Sequence, residues 1–493
     1  MLKRGRIVPS KPSSLFPRGR RARTTGFLGL AIISLLWLAP REAAAQTSNW
    51  NGSDGNWNSF SNWSLNLLPT SSHDLRFSTS AFTNVSINGF GGFANSITFL
   101  TGANAFTIGG SQSLAVANIT NSSSNLQSFS VSTISITGNA DWSANTGAFS
   151  FSSAVNLGNN ELTLKSSGAQ ASDISGLISG SGKVKVQSGV WTLSNGANSY
   201  TGATEISGGT LAVTANGALG NISGGTSISG GGTLDFRGVT YSAAQPVSSS
   251  SSNIAASVGT SSFAGPISLS GGSDALTVNV SSGVLLTLSG VISGGGGDKL
   301  TKIGTGHLTL SGSSANTYSG DTLINAGKLV LAKTAGLDAI AGGVVFVNTG
   351  GILELGASNQ IASGVDMRLN GGTFELANFS ETLGKLDLTA SGGTINFGGT
   401  ASALVFAKSS GENWDGGLLA ITSYTTASNS LRFGTDNTGL SSTQLASIVF
   451  EGISVGAQID VNGFVTPVPE PATYAAIIGA IALALAGYRR RRA

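Results

Sequence analysis

The amino-acid sequence predicts an all-β protein whose main body is a right-handed parallel β-helix (β-solenoid) with capping segments, followed by a C-terminal transmembrane helix. Three observations lead to this class: an internal repeat, a shorter period of 21 to 24 residues, and a composition rich in glycine and poor in charge, with 71 Gly and 10% charged residues in 493. The chain has no cysteine. Disulfides and thiolate metal sites are therefore excluded, and stability must come from burial and backbone pairing.

Two copies of one unit form the internal repeat. Residues 198–213 align without gaps on residues 316–331, and 7 of the 16 positions are identical. Similar upstream residues extend the copies to 175–213 and 289–331. Repeats of this kind are typical of stacked architectures, in which one unit cannot bury its apolar face alone.

The shorter period is marked by glycine turns, each followed by an apolar-x-apolar triplet. Side chains alternate along a strand, so both apolar residues of a triplet face the interior and the middle residue faces outward. The inward set predicted in this way is Leu353, Leu355, Phe374, Leu376, Ile395 and Phe397. Middle residues such as Asp235, Glu354 and Glu375 are mostly polar. An antiparallel sandwich is the rival architecture, but it does not require a constant period.

These patterns divide the chain into five segments. The predicted order is a signal peptide at 1–45, a β-rich segment with a Trp-rich cap at 46–174, the solenoid at 175–407, a C-terminal β cap at 408–466, and a sorting tail with a transmembrane helix at 467–493. Within the C-terminal cap, the sequence predicts three strands and a short helical turn.

The N-terminal segment has the order of a secretory signal peptide. Eight Lys/Arg up to Arg23 precede an apolar run from Phe27 to Leu38, and the small residues Ala43 and Ala45 mark cleavage after Ala45. The general secretion machinery is the expected route, since the residues after Arg20-Arg21 fit the twin-arginine pattern poorly. Residues 46–488 hold 13 Lys/Arg against 22 Asp/Glu. The resulting net charge of about −9 argues against a nucleic-acid partner.

Three tryptophans stand close together near the start of the exported segment. Trp50, Trp57 and Trp63 lie among Asn, Ser and Gly. An aromatic plug over the first turn of the coil is the favoured interpretation, because an open end would expose apolar side chains and a sheet edge. Exposed tryptophans that stack on sugar rings are the alternative.

The C-terminal tail has the features of a membrane stop. Residues 472–488 carry no charge, and Arg489, Arg490, Arg491 and Arg492 follow. Seventeen residues lie at the short limit for a transmembrane helix, and the arginines would hold its end in the cytoplasm.

Residues able to carry catalysis are few. His73 is expected in a loop and His307 at a variable repeat position, so neither indicates a metal or catalytic site. Glu354 and Glu375 are 21 residues apart. Adjacent turns would hold their carboxylates about 5 Å apart, as in a retaining glycosidase. Two solvated outward carboxylates are the favoured interpretation. The sequence thus predicts a non-enzymatic protein without metal or cofactor.

Two resemblances to known families add to this picture. The pattern G-x-L-T-L-S-G…N-x-Y-S-G-x-T-x-I-x-x-G-x-L-x-L, which spans Gly306 to Leu331, resembles the autotransporter-associated β-strand repeat of bacterial surface proteins. The order of Val468-Pro-Glu-Pro-Ala472, apolar helix and arginines resembles the PEP-CTERM sorting signal. That resemblance implies an exosortase that reads Pro469, Glu470 and Pro471. A plain C-terminal anchor is the alternative.

The sequence therefore predicts an exported surface or matrix protein, adhesive or structural, that is associated with exopolysaccharide or biofilm. It would be held transiently in the inner membrane by the tail, and would then pass to the cell surface, the outer membrane or the extracellular matrix. Expected partners are the secretion machinery, the exosortase and extracellular polysaccharide. Two other classes stay open: a carbohydrate-active β-helix enzyme, either a lyase or a glycosidase, and an ice- or surface-binding solenoid, whose usual outward Thr-x-Thr array is not seen.

Overall fold

The computed structural model describes residues 45–168, 170–272, 276–399 and 401–468. These residues form an all-β parallel solenoid of the right-handed type with about 16 turns. Parallel pairing joins consecutive turns, so the antiparallel sandwich is excluded. Within the described ranges, no helix has the length and apolar character needed to cross a membrane. The predicted helix at 472–488 lies outside those ranges.

One long sheet runs along the N-terminal two thirds of the coil. In the described part of the chain this twelve-strand sheet consists, in spatial order, of Gln46–Asn49, His73–Phe77, Ser96–Phe99, Asn118–Asn121, Ala140–Ala144, Glu161–Ser166, Lys183–Val186, Thr204–Ile206, Thr226–Ile228, Val247–Ser249, Ile267–Leu269 and Ile292–Ser293. Because spatial order follows chain order, each turn of the coil adds one strand.

A second sheet follows the coil for almost its whole length. This fifteen-strand sheet, counted over the described residues, consists of Asn84–Ser86, Thr107–Gly110, Gln127–Val131, Phe149–Phe151, Ser172–Ile174, Val190–Leu193, Thr210–Val213, Thr233–Arg237, Ser252–Val258, Leu276–Val280, Leu300–Ile303, Thr322–Ile324, Val344–Asn348, Asp366–Asn370 and Leu386–Leu388. It connects the N-terminal turns to the predicted solenoid region without a break in pairing.

The remaining strands form four further sheets in the described ranges. The five-strand sheet consists of Gly92–Phe93, Leu114–Val116, Thr133–Ile136, Ala154–Asn156 and Ile178–Ser179. The eleven-strand sheet consists of Thr240–Tyr241, Thr260–Phe263, Leu285–Leu288, His307–Gly312, Gly327–Lys333, Gly351–Leu355, Thr373–Glu375, Gly393–Asn396, Leu419–Thr422, Ile448–Phe450 and Ser454–Val455. The three-strand sheet consists of Glu381–Leu383, Ser402–Phe406 and Asn429–Phe433, and the hairpin consists of Ala457–Ile459 and Val465–Pro467.

Helix is confined to the two ends of the coil in the described chain. A 3-10 turn spans Phe60–Asn62, and a short α-helix spans Ser442–Ala446. Ser441 and Gln444 form a capping box at the start of the α-helix. The Gln444 amide also donates to the backbone carbonyls of Ser409 and Glu412, at 2.9 and 3.0 Å. This helix is the helical turn that the sequence predicts for the C-terminal cap, and the turn is thereby tied to the coil.

The predicted apolar ladder is confirmed. Leu353, Phe374 and Ile395 are direct partners on three successive strands, and their side chains are fully buried. The second residues of these triplets, Leu355, Leu376 and Phe397, are buried equally well. Stacked turns lie about 4.8 Å apart, so each apolar side chain covers the one beneath it and a continuous core fills the coil.

Asp235 departs from the predicted outward set, since it is only 3% exposed. A shift of register between Asp235 and Arg237 marks a β-bulge against the next strand. The Asp235 carboxylate accepts hydrogen bonds from Arg237 Nε and from the Ser257 hydroxyl, each at 2.7 Å. The bulge therefore covers a carboxylate that simple alternation would expose, and supplies its partners.

The Asn of the repeat motif joins three successive turns. Asn316 Oδ1 accepts the Ile292 N–H at 2.9 Å, and its Nδ2 donates to the Ala339 carbonyl at 2.8 Å. In the other copy, Asn198 makes the same two bonds to Ile178 and Ala218. A buried backbone group at a corner lacks a strand partner, so the amide satisfies one donor and one acceptor that would otherwise be costly.

The Tyr and Gly of the motif have packing roles. The Tyr318 hydroxyl lies 2.7 Å from the Thr322 hydroxyl in the buried interior, and Tyr200 and Thr204 repeat this contact at 2.6 Å. A Cβ added at Gly320 would lie 2.1 Å from the carbonyl oxygen of Asp298, on the turn before. The motif therefore needs glycine because the backbones of two turns approach closely at this corner.

Candidate functional site

The predicted sorting and processing residues lie almost entirely beyond the described ranges. Pro469, Glu470 and Pro471, the arginines at 489–492, and Ala43 fall outside them. Ala45 is the first described residue and is exposed. Export, cleavage and anchoring by these residues remain predictions.

The three N-terminal tryptophans form a buried cluster. Trp50, Trp57 and Trp63 are at most 3% exposed, and the rings of Trp50 and Trp57 meet Trp63 edge to face with centroids 5.1 and 5.0 Å away. Phe77 extends the cluster into the coil, 5.8 Å from Trp50. Because the rings are covered, they are not available to stack on a sugar, and their packing is the one expected of an aromatic plug.

The two histidines have structural surroundings. His73 begins a strand, whereas the sequence predicts a loop, and its buried ring Nδ1 accepts the Thr70 N–H at 2.9 Å. His307 is exposed at the start of another strand. Over the described residues, no group of three or more His, Cys, Asp or Glu side chains is placed to hold a metal ion.

Glu354 and Glu375 occupy adjacent turns, as predicted, and are paired in register. They share a partner that the sequence interpretation missed: the Lys328 ammonium contacts Glu354 Oε2, and lies 2.8 Å from Glu375 Oε2. Burial lowers the pKa of Lys328, but the two carboxylates raise it, and the net direction is upward. The sequence predicts two freely solvated carboxylates, but the structure shows them paired with one lysine. The shared cation offsets the repulsion between the two carboxylates.

Replacing both carboxylates tests whether this triad is catalytic or structural. Glu354→Gln with Glu375→Gln should change the free energy of unfolding by no more than about 1 kcal/mol, since partly exposed ion pairs contribute little. Urea unfolding measures the change, and Lys328→Met should give a similar value. Loss of a polysaccharide-degrading activity in the double variant, measured by reducing-end release, would contradict the structural role.

Lys302 is a lysine inside the core, where alternation would place an apolar residue. It pairs with Val278 and Ile324 on the neighbouring turns and is fully buried. Its ammonium donates to the carbonyls of Ile303, Gly304 and Ala326, at 2.8, 2.7 and 3.1 Å. Burial lowers the pKa of Lys302 to about 8, while three carbonyl acceptors favour the charged form. The side chain thus ties one corner of the coil together.

Glu381 is a buried carboxylate at another corner. Its Oε2 accepts the N–H groups of Gln360 and Ile361 at 2.7 and 3.3 Å, and its Oε1 accepts the Thr382 N–H at 3.1 Å. Burial raises the pKa of Glu381 to about 7; the backbone donors oppose this rise and Asp338 adds to it. A carboxyl group that titrates near neutrality is thereby built into the wall of the coil.

Glu381 should make the stability of the coil depend on pH. Its folded pKa of about 7 exceeds the ordinary 4.5, so the folded state binds more protons between these values. Its contribution should be complete below pH 4.5 and should fall by about 3 kcal/mol as the pH rises through 7. Urea unfolding at pH 4.5 and 8 should show that Glu381→Gln removes this difference. The exposed Glu451→Gln is the control, and an unchanged slope in Glu381→Gln would contradict the assignment.

Two adjoining depressions lie on the surface of the C-terminal turns. The first has a volume of about 190 Å³ and is lined by Val344, Phe346, Asp366, Met367, Arg368, Lys385, Asp387 and Glu412. The second, of about 290 Å³, includes Glu412, Asn413, Trp414 and Asp415 in its wall. Glu412 lines both. We call the two together the C-terminal groove.

The floor of the C-terminal groove is set by strand register. Phe346, Arg368 and Asp387 are direct partners on three successive strands of the fifteen-strand sheet, and all three point outward. Burial raises the pKa of Asp387; Arg368 and the Leu388 N–H oppose this, while Glu412 and Asp415 add to the rise. Sequence analysis missed these residues because their spacings, 22 and 19 residues, differ and no glycine-turn triplet marks them.

The repeats match a known family model. The Passenger-associated-transport-repeat model matches residues 184–213 and 300–331. These ranges contain the Asn, Tyr and Gly corners described above. The match supports the resemblance to autotransporter-associated repeats, and covers only these two short stretches of the chain.

A curated protein is also similar to part of the chain. The Adhesin BmaC autotransporter of Brucella suis biovar 1 (strain 1330) is 36% identical over 163 residues, which cover 31% of this chain and 4% of that protein. The chain thus spans a small fraction of the relative's length. No solved structure matches the chain.

Proposed function

We propose that this protein is an exported, non-enzymatic surface protein of the adhesin type, with the β-solenoid as its rigid stalk. The observation that carries the proposal is the continuous coil whose two motif-bearing segments match a passenger-associated repeat. Similarity to part of an autotransporter adhesin supports the same class. Glu354 and Glu375 are the acidic pair that would have to carry a glycosidase activity. Their shared contact with Lys328 supports a structural role for them instead.

The proposed route to the surface uses both ends of the chain. The leader at 1–45 directs export, and residues 472–488 with the four arginines hold the protein in the inner membrane. An exosortase then reads Pro469, Glu470 and Pro471 and releases the protein to the cell surface or the extracellular polymer. The prolines support this proposal, because they keep the segment extended for a protease.

The surface-protein proposal is tested on intact cells. Antibody against the solenoid should label cells that express the chain, and deletion of its gene should reduce attachment to the cell's own exopolysaccharide. Absence of surface label, with the protein retained inside the cell, would overturn the proposal.

The sorting step has its own test. Glu470→Ala should insert normally but remain uncut in the inner membrane, whereas replacement of Arg489–Arg492 by neutral residues should weaken the membrane stop. Mass spectrometry of the protein from the surface decides between processing and a plain anchor. A mature form that ends at Ala493 would show that the exosortase step is wrong.

A further inference from the structure

The C-terminal groove places an apolar ring beside charged groups on one outer face of the coil. Phe346 lies one turn from Arg368 and two turns from Asp387, so an aromatic ring, a guanidinium and a carboxylate follow one another at intervals of about 4.8 Å. Earlier outward positions on the same ladder are Thr277 and Thr301, followed by Leu323, the direct partner of Phe346 on the turn before. The ladder thus changes from threonines to the apolar side chains of Leu323 and Phe346, and then to the oppositely charged Arg368 and Asp387.

Two polar atoms of the groove, Arg368 Nε and Asp387 Oδ1, have no hydrogen-bond partner among the described residues. Arg368 Nε lies 3.2 Å from Asp387 Oδ2, but the contact lacks the alignment of a hydrogen bond. Asp387 Oδ1 is covered and has no hydrogen-bond partner among the described residues. The Arg368 side chain remains 40% exposed and that of Asp387 24% exposed. Arg368 Nε and Asp387 Oδ1 are both covered, so a hydroxyl group that entered the groove would bond to them once the two partly exposed side chains turn toward it.

The size and setting of the groove favour a chain of small rings. Each depression is smaller than a typical pocket for a drug-sized ligand, which holds about 300 to 1,000 Å³, and Glu412 lines both of them. The strands Val344–Asn348 and Asp366–Asn370 are paired on both sides. A peptide that adds to a sheet needs a free strand edge, so this face disfavours that mode of binding.

The charges of the groove restrict the kind of chain. Asp366, Asp387 and Glu412 outnumber Arg368 and Lys385 in the first depression, and Lys385 is paired with Glu412 at 2.8 Å. The second depression has Glu412 and Asp415 in its wall, and none of the described residues that line it is a lysine or arginine. An acidic surface of this kind repels a polymer of uronic acids and accepts neutral or amino sugars.

We infer that the C-terminal groove binds two consecutive units of a neutral or amino-sugar polysaccharide. Phe346 packs against the C–H face of one ring, and Arg368 with Asp387 bonds to its hydroxyl groups. Glu412 and Asp415 contact the next unit in the second depression. This inference gives the proposed surface protein a ligand class, and it rests on that proposal for its biological setting only.

Calorimetry on the purified full-length chain tests the inference. The probes are cellotetraose, the fully deacetylated chitosan tetramer and tetragalacturonate. We expect binding of at least one of the first two and weaker or no binding of tetragalacturonate. Phe346→Ala should weaken binding by about tenfold or more, since the ring supplies the apolar contact. Asp387→Asn should weaken the binding of the chitosan tetramer more than it weakens the binding of cellotetraose.

Matched controls separate the groove from general effects on the coil. Leu285→Ala removes an exposed apolar side chain from another face, and Asp141→Asn removes a half-exposed carboxylate paired with Lys165. Both control variants should bind the oligosaccharide probes with the affinity of the parent protein. Failure of all three probes to bind, unchanged binding in both groove variants, or tightest binding of tetragalacturonate would overturn the inference. None of these outcomes depends on surface display, so they leave the cell-labelling test independent.

Discussion

Phe374→Asp should abolish the cooperative unfolding transition of the C-terminal turns. Phe374 is fully buried between Leu353 and Ile395, its partners on the turns below and above. The variant loses a buried aromatic side chain, which costs about 3–5 kcal/mol, and adds an unpaired buried carboxylate, which costs several kcal/mol more. Circular dichroism during thermal unfolding should show a lost or much lowered transition.

Its neighbour supplies the control for that experiment. Thr373 precedes Phe374 in the same strand and points outward. Thr373→Asp therefore adds the same charge to the solvent side, and we expect it to lower the transition only slightly. A parent-like transition in Phe374→Asp would show that the inward assignment of this ladder is wrong.

Trp63→Ala should open the N-terminal end of the coil. Trp63 is fully buried between Trp50 and Trp57, and its indole N–H donates to the Trp57 carbonyl at 2.8 Å. Removal of the ring should cost about 3–5 kcal/mol. Since each turn of a solenoid contacts only its neighbours, the loss should be felt first in the turns under the plug.

Hydrogen exchange locates the effect of this variant. In Trp63→Ala the amides of His73–Phe77 and Ser96–Phe99 should lose protection, while those of Leu386–Leu388 keep it. Phe60→Ala is the matched control, because Phe60 lies nearby but is 57% exposed. Equal loss of protection along the whole coil would contradict unfolding from the N-terminal end.

The solenoid and its inward ladder can be predicted from the sequence because two periods, the alternation of side chains along a strand and the length of one turn, coincide in the solenoid region. Alternation along a strand selects the inward residues, and a nearly constant turn length stacks them, as for Leu353, Phe374 and Ile395. In residues 46–174 no such repeat stands out, yet parallel ladders already run from Gln46. Their corners are Ser- and Asn-rich, so the strands there are recognised by pairing rather than by glycine turns.

The features that sequence analysis missed depend on contacts between turns. Lys328 reaches Glu354 and Glu375 across 26 and 47 residues, and the shared contact is visible only after the turns are stacked. Lys302 and Glu381 break the inward apolar rule because corner carbonyls and N–H groups satisfy them. The C-terminal groove likewise depends on the register of Phe346, Arg368 and Asp387, which alternation alone does not give.

The parallel stacking of turns also sets how the protein would respond to force. A pull along the coil axis acts directly along the hydrogen bonds between turns, with several strands of one turn sharing the load. The weakest terminal turn should give way first and leave the next one intact, because the turns are held in series. Each released turn of 21 to 24 residues would add roughly 75 Å of extended chain. A cell held by such a stalk would meet tension with stepwise lengthening before detachment.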